Sequence, residues 1–291
     1  MSTTLSALEV VPSGAALGAD IVNLDIGAAT VADIAAVRAA WLDHLVLRFR
    51  GHSFGDTAHL EFAKRFGPLD ISPNTRFSGQ PWMPEYPEMS RISNIKINGE
   101  ATGSLGDGEL VWHTDMSYLD EPPTGSLLHA YEVPESGGDT KFLSMYDALE
   151  TLPADLRKAI EGRQIKHDQT HNSSGTLRKG LEGVEINDVT KIPGAVHPII
   201  RTHPETGRKA LYLGRRARSY LVGLPVDESE EMLDALWDHA TGNTAIQWVQ
   251  EWQADDLIMW DNRCVMHCRD SFDPGGRRLM HRTVILGDRP Y

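Results

Sequence analysis

The chain has 291 residues, 41% of them hydrophobic and 24% charged, which is the composition of an ordinary globular protein with ample core-forming material. Its formal net charge of −13 argues against a general nucleic-acid or membrane-surface role, because both partners are polyanionic. An acidic small molecule remains compatible with this charge, since it responds to the local field of a pocket. We expect any such ligand to be met by a few specifically placed arginines.

Cysteine content and hydropathy indicate the cellular compartment. Two cysteines, Cys264 and Cys268, are too few for a secreted disulfide framework. The N-terminal sequence MSTTLSALEVVPSGAALG lacks the basic start and long apolar core of a signal peptide. No stretch reaches the roughly 18–20 apolar residues of a membrane span. We therefore expect a cytoplasmic protein.

The N-terminal part of the sequence predicts two helices separated by one strand. A helix is predicted over 30–44, where Thr30 and Asp33 resemble a capping box and apolar residues recur at helical spacing. The run LVLRF that follows is typical of a strand. A second helix is predicted over 56–66, ended by a Gly-Pro pair.

From about residue 91 onward, short β-branched or aromatic runs are separated by turn residues, which is typical of strands. These runs are RISNIKI, LVWHTDMSY, GSLLHAYEV, TKFLSM, VHPIIRTH, ALYLG, IQWVQEW, DLIMW and RRLMHRTVIL. THPETGRKALYL is typical of a hairpin with Glu205-Thr206-Gly207 near its turn. Many short strands with few helices indicate a mainly β fold with peripheral helices, a β-sandwich or jelly roll.

Two further helices are predicted over 154–161 and 227–239. Because there is no internal repeat and no low-complexity linker, we predict a single domain over residues 1–291. The stretch 166–193 is long, polar and glycine-containing, so we predict that it is an excursion or lid at the active site and not part of the core.

The run LVWHTDMSY places His113 and Asp115 two residues apart. Because side chains of a strand alternate between its faces, both are predicted to project from the same face. Two such ligands, joined by a third from elsewhere, give the 2-His-1-carboxylate arrangement of non-haem iron(II) oxygenases. That arrangement leaves adjacent coordination positions open for a chelating 2-oxo acid and dioxygen.

A His-x-acid triplet alone has little specificity, because 12 histidines and 41 acidic residues make one or two expected by chance. A second triplet, His59-Leu60-Glu61, lies in the helix predicted over 56–66. Residues two apart on a helix point about 200° apart and cannot share a metal. We interpret His59 as an exposed helix residue.

The third ligand is predicted to be His267, in the segment WDNRCVMHCRD that follows the strand-like run DLIMW. A lone histidine is more often satisfied by hydrogen bonds than bound to a metal, and the arginines downstream are what favour a ligand role here. Cys264 and Cys268 flank His267 and leave a zinc site as an alternative. In an extended segment, their spacings put the three side chains on mixed faces, which disfavours zinc.

Arg278 and Arg282 fall on one face of the strand predicted for RRLMHRTVIL. Burying two arginines is costly unless anions pair with them. Arginine is also suited to gripping a carboxylate through two hydrogen bonds. A dicarboxylic co-substrate and a second acidic ligand would meet that need. The alternative is that both arginines lie at the surface of an edge strand.

These motifs resemble those of the taurine dioxygenase and 2,4-dichlorophenoxyacetate dioxygenase family of iron(II)/2-oxoglutarate enzymes. The likeness runs over nearly the whole chain, from GAALGADIVNLDI to MHRTVILGDRP. Its markers, in family order, are FAKRFGPL, WHTDMSYLDEPP, PESGGDT, LPADLRKAIEG, HPIIRTHPETGRKALYLG, DLIMWDNRCVMH and RRLMHRTVILGDRP. The resemblance implies a double-stranded β-helix, the cupin-like jelly roll.

The resemblance also implies roles for individual residues. The positions of the family's iron ligands are occupied by His113, Asp115 and His267. Arg278, eleven residues after the distal histidine, matches the arginine that pairs with the remote carboxylate of 2-oxoglutarate, and Thr140 matches the threonine that assists it. Arg282 matches a second arginine, which in the taurine enzymes contacts the substrate's sulfonate.

The activity implied is oxidative decarboxylation of 2-oxoglutarate to succinate and carbon dioxide, coupled through iron(II) and dioxygen to hydroxylation of a small acidic substrate. The taurine enzymes carry a histidine where this chain has GPLDISPNT, and LYLGRRARSYLVGLP is similar to the phenoxyacetate-type branch. An aryloxy or aryl carboxylate is therefore favoured, with a sulfonate second. We expect no nucleic-acid or membrane partner, and a homo-oligomer.

Two other classes of protein stay open on the residues alone. A zinc- or manganese-dependent hydrolase could use the same three ligands but would not need Thr140 and Arg278. A non-catalytic, cupin-like binding protein would tolerate the fold but need not keep all the ligands and both arginines. Among the remaining polar residues, a solvated surface is predicted for the basic cluster Arg215, Arg216 and Arg218, and no role is assigned to His167 and His171.

Overall fold

The structure, a computed structural model, describes residues 8–51, 53–72, 79–104, 110–172, 175–178, 181, 183–184 and 187–291. Within these ranges the chain forms five α-helices, α1 (Val31–His44), α2 (Asp56–Lys64), α3 (Met145–Glu150), α4 (Ala154–Ile160) and α5 (Val226–Gly242). Two 3-10 helices span Ile26–Ala28 and Thr244–Ile246. No helix of the described part is long and apolar enough to cross a membrane.

Eighteen strands make up most of the regular structure in the same ranges, so the predicted mainly β class is confirmed. They are β1 (Glu9–Pro12), β2 (Ala19–Val22), β3 (Val46–Phe49), β4 (Ser90–Ser93), β5 (Lys96–Ile97), β6 (Glu100–Ala101), β7 (Leu110–His113), β8 (Gly125–Glu132), β9 (Thr140–Ser144), β10 (Gln164–Lys166), β11 (Val196–Pro198), β12 (Ile200–Thr202), β13 (Lys209–Leu211), β14 (Tyr220–Leu221), β15 (Gln247–Gln250), β16 (Leu257–Asp261), β17 (Val265–Arg269) and β18 (Leu279–Ile285).

Two sheets carry the side chains that matter for function. The larger has seven strands in the order β1-β2-β3-β16-β8-β18-β4, and the smaller has four in the order β15-β9-β17-β7. Neighbouring strands in both sheets run antiparallel, except that β2 and β3 run parallel. Three smaller sheets have the strand orders β11-β10-β14, β12-β13 and β5-β6.

Side chains of the two main sheets meet across a shared interior. Trp260 on β16 lies 5.1 Å from His267 on β17 and 5.9 Å from Phe142 on β9, measured between ring centroids. One apolar core extends from this interior to α3 and α5, and a second packs α1 and α2 against the seven-stranded sheet. Each sheet therefore presents one face to the region that holds the predicted metal ligands.

The structure confirms the predictions that depend on residues close together in the chain. At α1, the Thr30 hydroxyl accepts from Asp33 N at 3.2 Å and Thr30 N donates to the Asp33 carboxylate at 2.8 Å, which is the predicted capping box. The predicted hairpin is formed by β12 and β13. The helices predicted over 154–161 and 227–239 correspond to α4 and α5.

Several elements were not predicted, among them β17 and α3. All five residues of β17, VMHCR, are buried, so the strand lacks the solvent-exposed face that usually distinguishes a half-buried strand. Helix α3 has six residues and follows β9 directly, which is too short for a helical period to show. In 167–193, the described residues form no helix, and their role as a lid stays a prediction.

The prediction that His59 is exposed is wrong. Its side chain is fully buried, because it shares the inner face of α2 with Phe62 and Ala63, three and four residues later. Its Nε2 lies 3.1 Å from the Thr283 hydroxyl on β18. The argument against a metal site at this triplet still holds, since Glu61 lies on the exposed face of the helix.

Burial of His59 makes the protein's stability sensitive to acid. Burial, with the neighbouring His129, lowers the pKa of His59 from 6.5 to about 3. Below pH 6.5 the unfolded chain takes up a proton at this histidine and the folded protein does not. The free energy of unfolding therefore decreases as the pH is lowered. We expect His59 to account for about 2 kcal/mol less unfolding free energy at pH 5 than at pH 7, measured by urea titration.

The variant His59→Gln should have a smaller difference between the two pH values, by about the same 2 kcal/mol. The matched control is His44→Gln, because His44 lies only half-buried at the end of α1. An identical pH dependence in the two variants would exclude His59 as the source of the acid sensitivity.

A buried ion-pair network closes the turn between β16 and β17. Arg263 donates from Nε and Nη2 to the two oxygens of Asp261, at 2.8 and 2.7 Å, and His203 lies 3.0 Å from the same carboxylate. Burial alone would raise the pKa of Asp261, but Arg263 and His203 hold that pKa far below its usual range. The turn that leads into β17 therefore depends on an ionised, fully buried aspartate.

Replacing Asp261 with asparagine should destabilise the protein by about 3 kcal/mol, because Arg263 would lose its fully buried carboxylate and keep only Glu205, which is partly exposed. Urea unfolding at pH 7 measures the loss. Asp234→Asn is the control, since Asp234 pairs with Arg216 at the protein surface, where such pairs contribute about 0–1 kcal/mol. Equal losses in the two variants would contradict the expectation.

Candidate metal centre and co-substrate site

Two of the predicted ligands are direct neighbours across the small sheet. His113 ends β7 and pairs in register with His267 on β17, and their ring centroids lie 4.3 Å apart. The Nδ1 of His113 lies 2.8 Å from the carbonyl of Val111, which leaves its Nε2 for another partner. The Nε2 atoms of His113 and His267 lie 3.6 and 3.8 Å from the Asp115 carboxylate.

Asp115 reaches this position differently from the prediction. β7 ends at His113, so Asp115 lies in the following turn and not on the same strand face. The turn is held by Asn262, whose side chain accepts from Asp115 N at 2.9 Å and donates to Asp115 O at 3.0 Å. Next in the chain, Met116 has a φ of 47°. His113 and Asp115 do lie close together, but a turn and a buried asparagine bring them there, and not a shared strand face.

The charge states of the group suit a divalent cation. Burial alone would raise the pKa of Asp115, yet Arg282 and the two histidines hold that pKa well below its usual range, so the carboxylate is ionised. Burial, with the neighbouring His113, lowers the pKa of His267 to about 3, so its ring is neutral at pH 7. Neutral imidazoles and an ionised carboxylate are the forms that bind metals.

The three side chains also have the spacing of a shared ion. One donor atom from each of His113, Asp115 and His267 lies within 4.8 Å of the others, and all three residues are buried. Donors about 2.0–2.2 Å from one ion are about 3–3.5 Å apart, so small side-chain adjustments would close the site. Two imidazoles and one carboxylate match non-haem iron(II), and the residues therefore fit that metal.

A second group within the described residues, His203, Asp261 and Cys264, has similar spacing. Both Asp261 oxygens already accept from Arg263, and burial raises the pKa of the Cys264 thiol well above its usual range. This group is structural. The zinc alternative with Cys264, His267 and Cys268 does not correspond to either group found in the described part of the chain.

Arg278 and Thr140 are both buried, and both contact Trp252. Trp252 donates from Nε1 to the Thr140 hydroxyl at 3.0 Å, and the Arg278 guanidinium lies 5.9 Å from the Trp252 ring. Because Thr140 accepts from Trp252, its own proton is available to an acceptor such as a carboxylate. Arg278 is almost fully buried, and its Nε has no hydrogen-bond partner among the described residues.

A second arginine in this site was missed by the sequence analysis. Arg269 pairs with Thr140 across β17 and β9, two residues along from the pair formed by His267 and Phe142. Burial, with the nearby Arg269, lowers the pKa of Arg278 to about 9, so it stays charged at pH 7. The signal was present in the spacing, because Arg269 follows His267 by two residues and period two is the repeat of a strand.

Arg282 has a partner that the sequence did not indicate. Its Nη2 donates to the Asp115 carboxylate at 2.6 Å and to the Ser126 hydroxyl at 2.8 Å. Its guanidinium also lies 5.3 Å from the Trp260 ring. Arg282 therefore faces the predicted metal ligands, as expected from its strand face, and one of its hydrogen bonds orients Asp115.

Comparison with known proteins places this site in a family. The chain matches the family model described as taurine catabolism dioxygenase TauD, TfdA family, over residues 9–284. It is 34% identical over 256 residues to the alpha-ketoglutarate-dependent 2,4-dichlorophenoxyacetate dioxygenase of Cupriavidus pinatubonensis, covering 84% of this chain and 85% of that protein. It is 30% identical over 301 residues to the (S)-phenoxypropionate/alpha-ketoglutarate-dioxygenase of Delftia acidovorans, covering 99% and 97%.

Solved structures agree with these sequence relatives. A taurine dioxygenase from Burkholderia xenovorans superposes with a TM-score of 0.77 at 28% identity, covering 98% of this chain and 93% of that one. AAD-2 in complex with Mn(II) and N-oxalylglycine superposes with a TM-score of 0.75 at 26% identity, covering 98% and 99%.

The fold and the ligand set define a metal-dependent oxygenase. The chain belongs to the TauD/TfdA dioxygenase family. The predicted class, a 2-oxoglutarate-dependent dioxygenase and hence an oxidoreductase, is confirmed, and the hydrolase and binding-protein alternatives are not favoured. The predicted cofactors, Fe(II), 2-oxoglutarate and O2, are those of this class.

Proposed function

We propose that the protein hydroxylates a small acidic substrate, preferably an aryloxy or aryl carboxylate, with sulfonates as the second class. The observation that carries this proposal is the buried group of His113, Asp115 and His267, with donor atoms within 4.8 Å of one another, together with the buried Arg278, which Trp252 links to Thr140 in the same sheet as His267. A protein that binds a metal but no 2-oxo diacid would not need the buried Arg278.

The two histidines and Asp115 would hold Fe(II) through their Nε2 atoms and one carboxylate oxygen. Arg282 keeps the other oxygen of Asp115 engaged at 2.6 Å and so favours one-oxygen coordination. The backbone of Asp115 is fixed by Asn262. These contacts orient the ligand before the metal arrives, which limits the ordering entropy of binding.

Arg278 and Thr140 would bind the remote carboxylate of 2-oxoglutarate. Asn94 orients Arg278, because its side-chain oxygen accepts from Arg278 N at 2.9 Å and its own N donates to Arg278 O. Thr140 lies two strand residues from the partner of His267, roughly 6.6 Å along the sheet, a separation that a five-carbon diacid spans. The 2-oxo acid end then lies at the metal ligands.

The chemistry that bound iron supplies is activation of dioxygen, with 2-oxoglutarate decarboxylated to succinate and CO2 and one oxygen atom transferred to a substrate C–H bond. The protein orients both organic acids and excludes water from between the sheets. Trp260 contributes to that exclusion, since its buried ring packs against His267 and Arg282.

The substrate class rests on the relatives and on the basic groups near the metal ligands. The Cupriavidus and Delftia proteins are named for 2,4-dichlorophenoxyacetate and (S)-phenoxypropionate, both aryloxy acids. A Schizosaccharomyces pombe protein named "Putative alpha-ketoglutarate-dependent sulfonate dioxygenase" is 35% identical over 216 residues, which cover 74% of this chain and 54% of that protein, and it supports the second class. Arg282 would meet the substrate's acidic group with Nη1, since its Nε contacts Ser126 and its Nη2 contacts Ser126 and Asp115.

The proposal includes a double-stranded β-helix as the core fold. Its support is that a seven-stranded and a four-stranded sheet, antiparallel apart from one pair, contact each other across the metal ligands. The lid at 166–193 is part of the same proposal, since the buried His167 begins that segment close to Gly214 and Ser117.

The direct test is succinate formation from 2-oxoglutarate under air, with Fe(II) and ascorbate, across a panel of acids. The panel contains 2,4-dichlorophenoxyacetate, both enantiomers of phenoxypropionate, and alkyl and aryl sulfonates. We expect at least one aryloxy acid to stimulate succinate release and to yield a hydroxylated or ether-cleaved product. No stimulation by any acid, together with no anaerobic absorption band from Fe(II) and 2-oxoglutarate, would refute the proposal.

A further inference from the structure

Arg201 on β12 is a buried arginine outside the metal centre. It pairs in register with Ala210 of β13 and is only 2% exposed. Its Nε and Nη1 are buried without a hydrogen-bond partner among the described residues, and no carboxylate of those residues forms an ion pair with it. Removing a guanidinium from water without a counterion is strongly unfavourable, so a negatively charged ligand would stabilise this side chain.

The hydroxyl of Tyr212 is a second buried donor next to this guanidinium. Tyr212 directly follows β13, and the guanidinium carbon of Arg201 lies 4.9 Å from the centroid of its ring. Burial raises the pKa of Tyr212 to about 12 although the charge of Arg201 acts to lower it, so the hydroxyl keeps its proton at pH 7. No hydrogen-bond partner for this hydroxyl is found among the described residues. Its proton therefore needs an acceptor.

The carboxylates near this pair are engaged elsewhere. Asp115, whose charge acts on the pKa of Tyr212, accepts a hydrogen bond from the arginine on β18 at 2.6 Å. Asp261 and Arg201 both act on the pKa of the Cys264 thiol, but both oxygens of Asp261 accept from the arginine of their own turn. Burial raises the pKa of Cys264 well above its usual range, so the thiol is neutral.

Aromatic rings separate this group from solvent. The ring centroids of His167 and His197 lie 5.4 and 5.9 Å from that of Tyr212, and all three residues are buried. In such surroundings the attraction between a guanidinium and an anion is stronger than in water. A ligand enclosed by these side chains must be small, which favours a monovalent inorganic ion over the organic acids of the metal centre.

The end of β13 ties Tyr212 to the loop that carries the metal ligands. Gly214 has a φ of 68°, and a Cβ there would collide with His167. Its carbonyl accepts from Thr114 N at 2.8 Å, and only glycine permits this approach. The same approach brings Arg215 towards the loop. The solvated surface predicted for Arg215 is therefore wrong, and burial lowers its pKa.

We propose that Arg201 and Tyr212 bind a small monovalent anion, chloride, beside the turn that contains Cys264. The guanidinium and the phenol O–H both donate to the ion, which balances the buried charge. The anion stabilises the folded protein and takes no part in the proposed reaction. This inference goes beyond the proposed function and does not depend on it.

Crystals of the full-length protein grown in bromide locate the anion directly, because bromide replaces chloride and has an anomalous signal. We expect an anomalous peak within hydrogen-bonding distance of Arg201 and of the Tyr212 hydroxyl. Density for water without an anomalous signal at this position would overturn the proposal. So would bromide peaks found only at the protein surface or at the predicted metal ligands.

Thermal unfolding measures the affinity in solution, with chloride replacing gluconate at constant ionic strength. The wild type should be stabilised by chloride in a saturable manner, with and without Fe(II). We expect Arg201→Gln to abolish this stabilisation and Tyr212→Phe to raise the apparent Kd for chloride at least about 10-fold. Tyr212→Phe decides the question if Arg201→Gln does not fold, since it keeps the ring and removes only the hydroxyl.

Arg208→Gln is the matched control, because Arg208 belongs to the same hairpin but is exposed and lies 3.8 Å from Glu150. It should respond to chloride as the wild type does. An equal chloride response in the wild type, Tyr212→Phe and Arg208→Gln would refute the site. A response that requires Fe(II) would assign the anion to the metal and would also refute it.

Discussion

His113→Ala is expected to abolish both Fe(II)-dependent activity and the anaerobic absorption band with 2-oxoglutarate. Removing an outer partner of a metal ligand already costs about 10- to 100-fold in metal affinity. Losing a ligand itself should therefore cost more than about 100-fold. The protein should remain folded, because the variant removes an imidazole at the end of β7 and leaves the sheet hydrogen bonds of the strand in place.

The same loss is expected for Asp115→Ala and His267→Ala, since the three side chains act as one site. His239→Ala is the matched control, because His239 lies half-buried on α5 and its Nε2 is 3.0 Å from the Ala148 carbonyl. Equilibrium dialysis against Fe(II) separates metal loss from misfolding. Full iron binding and activity in His113→Ala would show that His113 is not a metal ligand.

Arg278→Gln is expected to raise the KM for 2-oxoglutarate by about 100- to 1000-fold. Truncating one partner of a buried, hydrogen-bonded charge pair costs about 3–4 kcal/mol, which corresponds to that factor. Without a co-substrate, Arg278 is a buried charge whose Nε has no hydrogen-bond partner in the described part of the chain, so the variant should unfold no more easily than the wild type. The expected signature is a stable protein that 2-oxoglutarate no longer stabilises against heat.

Arg277→Gln provides the control for this experiment. Arg277 precedes Arg278 directly but is exposed, and its Nε donates to Glu132 at 2.6 Å. Its KM for 2-oxoglutarate and its thermal stabilisation by 2-oxoglutarate should equal those of the wild type. A similar rise in KM in both variants would point to a general charge effect and against a carboxylate bound by Arg278.

Features that depend on residues close together in the chain could be predicted from sequence. The capping box of α1 and the hairpin of β12 and β13 involve contacts over a few residues, so spacing and residue type were enough. The identity of the family was also determined by sequence, because its motifs are specific and occur in a fixed order. The fold brings the donor atoms of the three predicted ligands together, and their role as iron ligands stays a prediction.

Tertiary packing decided what local patterns could not. His59 is buried because α2 lies against β18, and nothing in its own helix shows which face a distant strand will cover. Asp115 reaches its histidines through a turn held by Asn262, 147 residues away. Adjacent arginines also diverge in environment, since Gly214 fixes Arg215 beside the ligand loop while Arg216 pairs with α5.

The sequence alone thus determined the class of enzyme and the residue types at the predicted metal centre, because short motifs specify both. Only the tertiary structure decided how each charge is used. Whether an arginine orients Asp115, faces a co-substrate or lies in solvent depends on burial and on partners far away in the chain. Electrostatic and desolvation energies are set by that three-dimensional environment, and residue spacing carries little information about it.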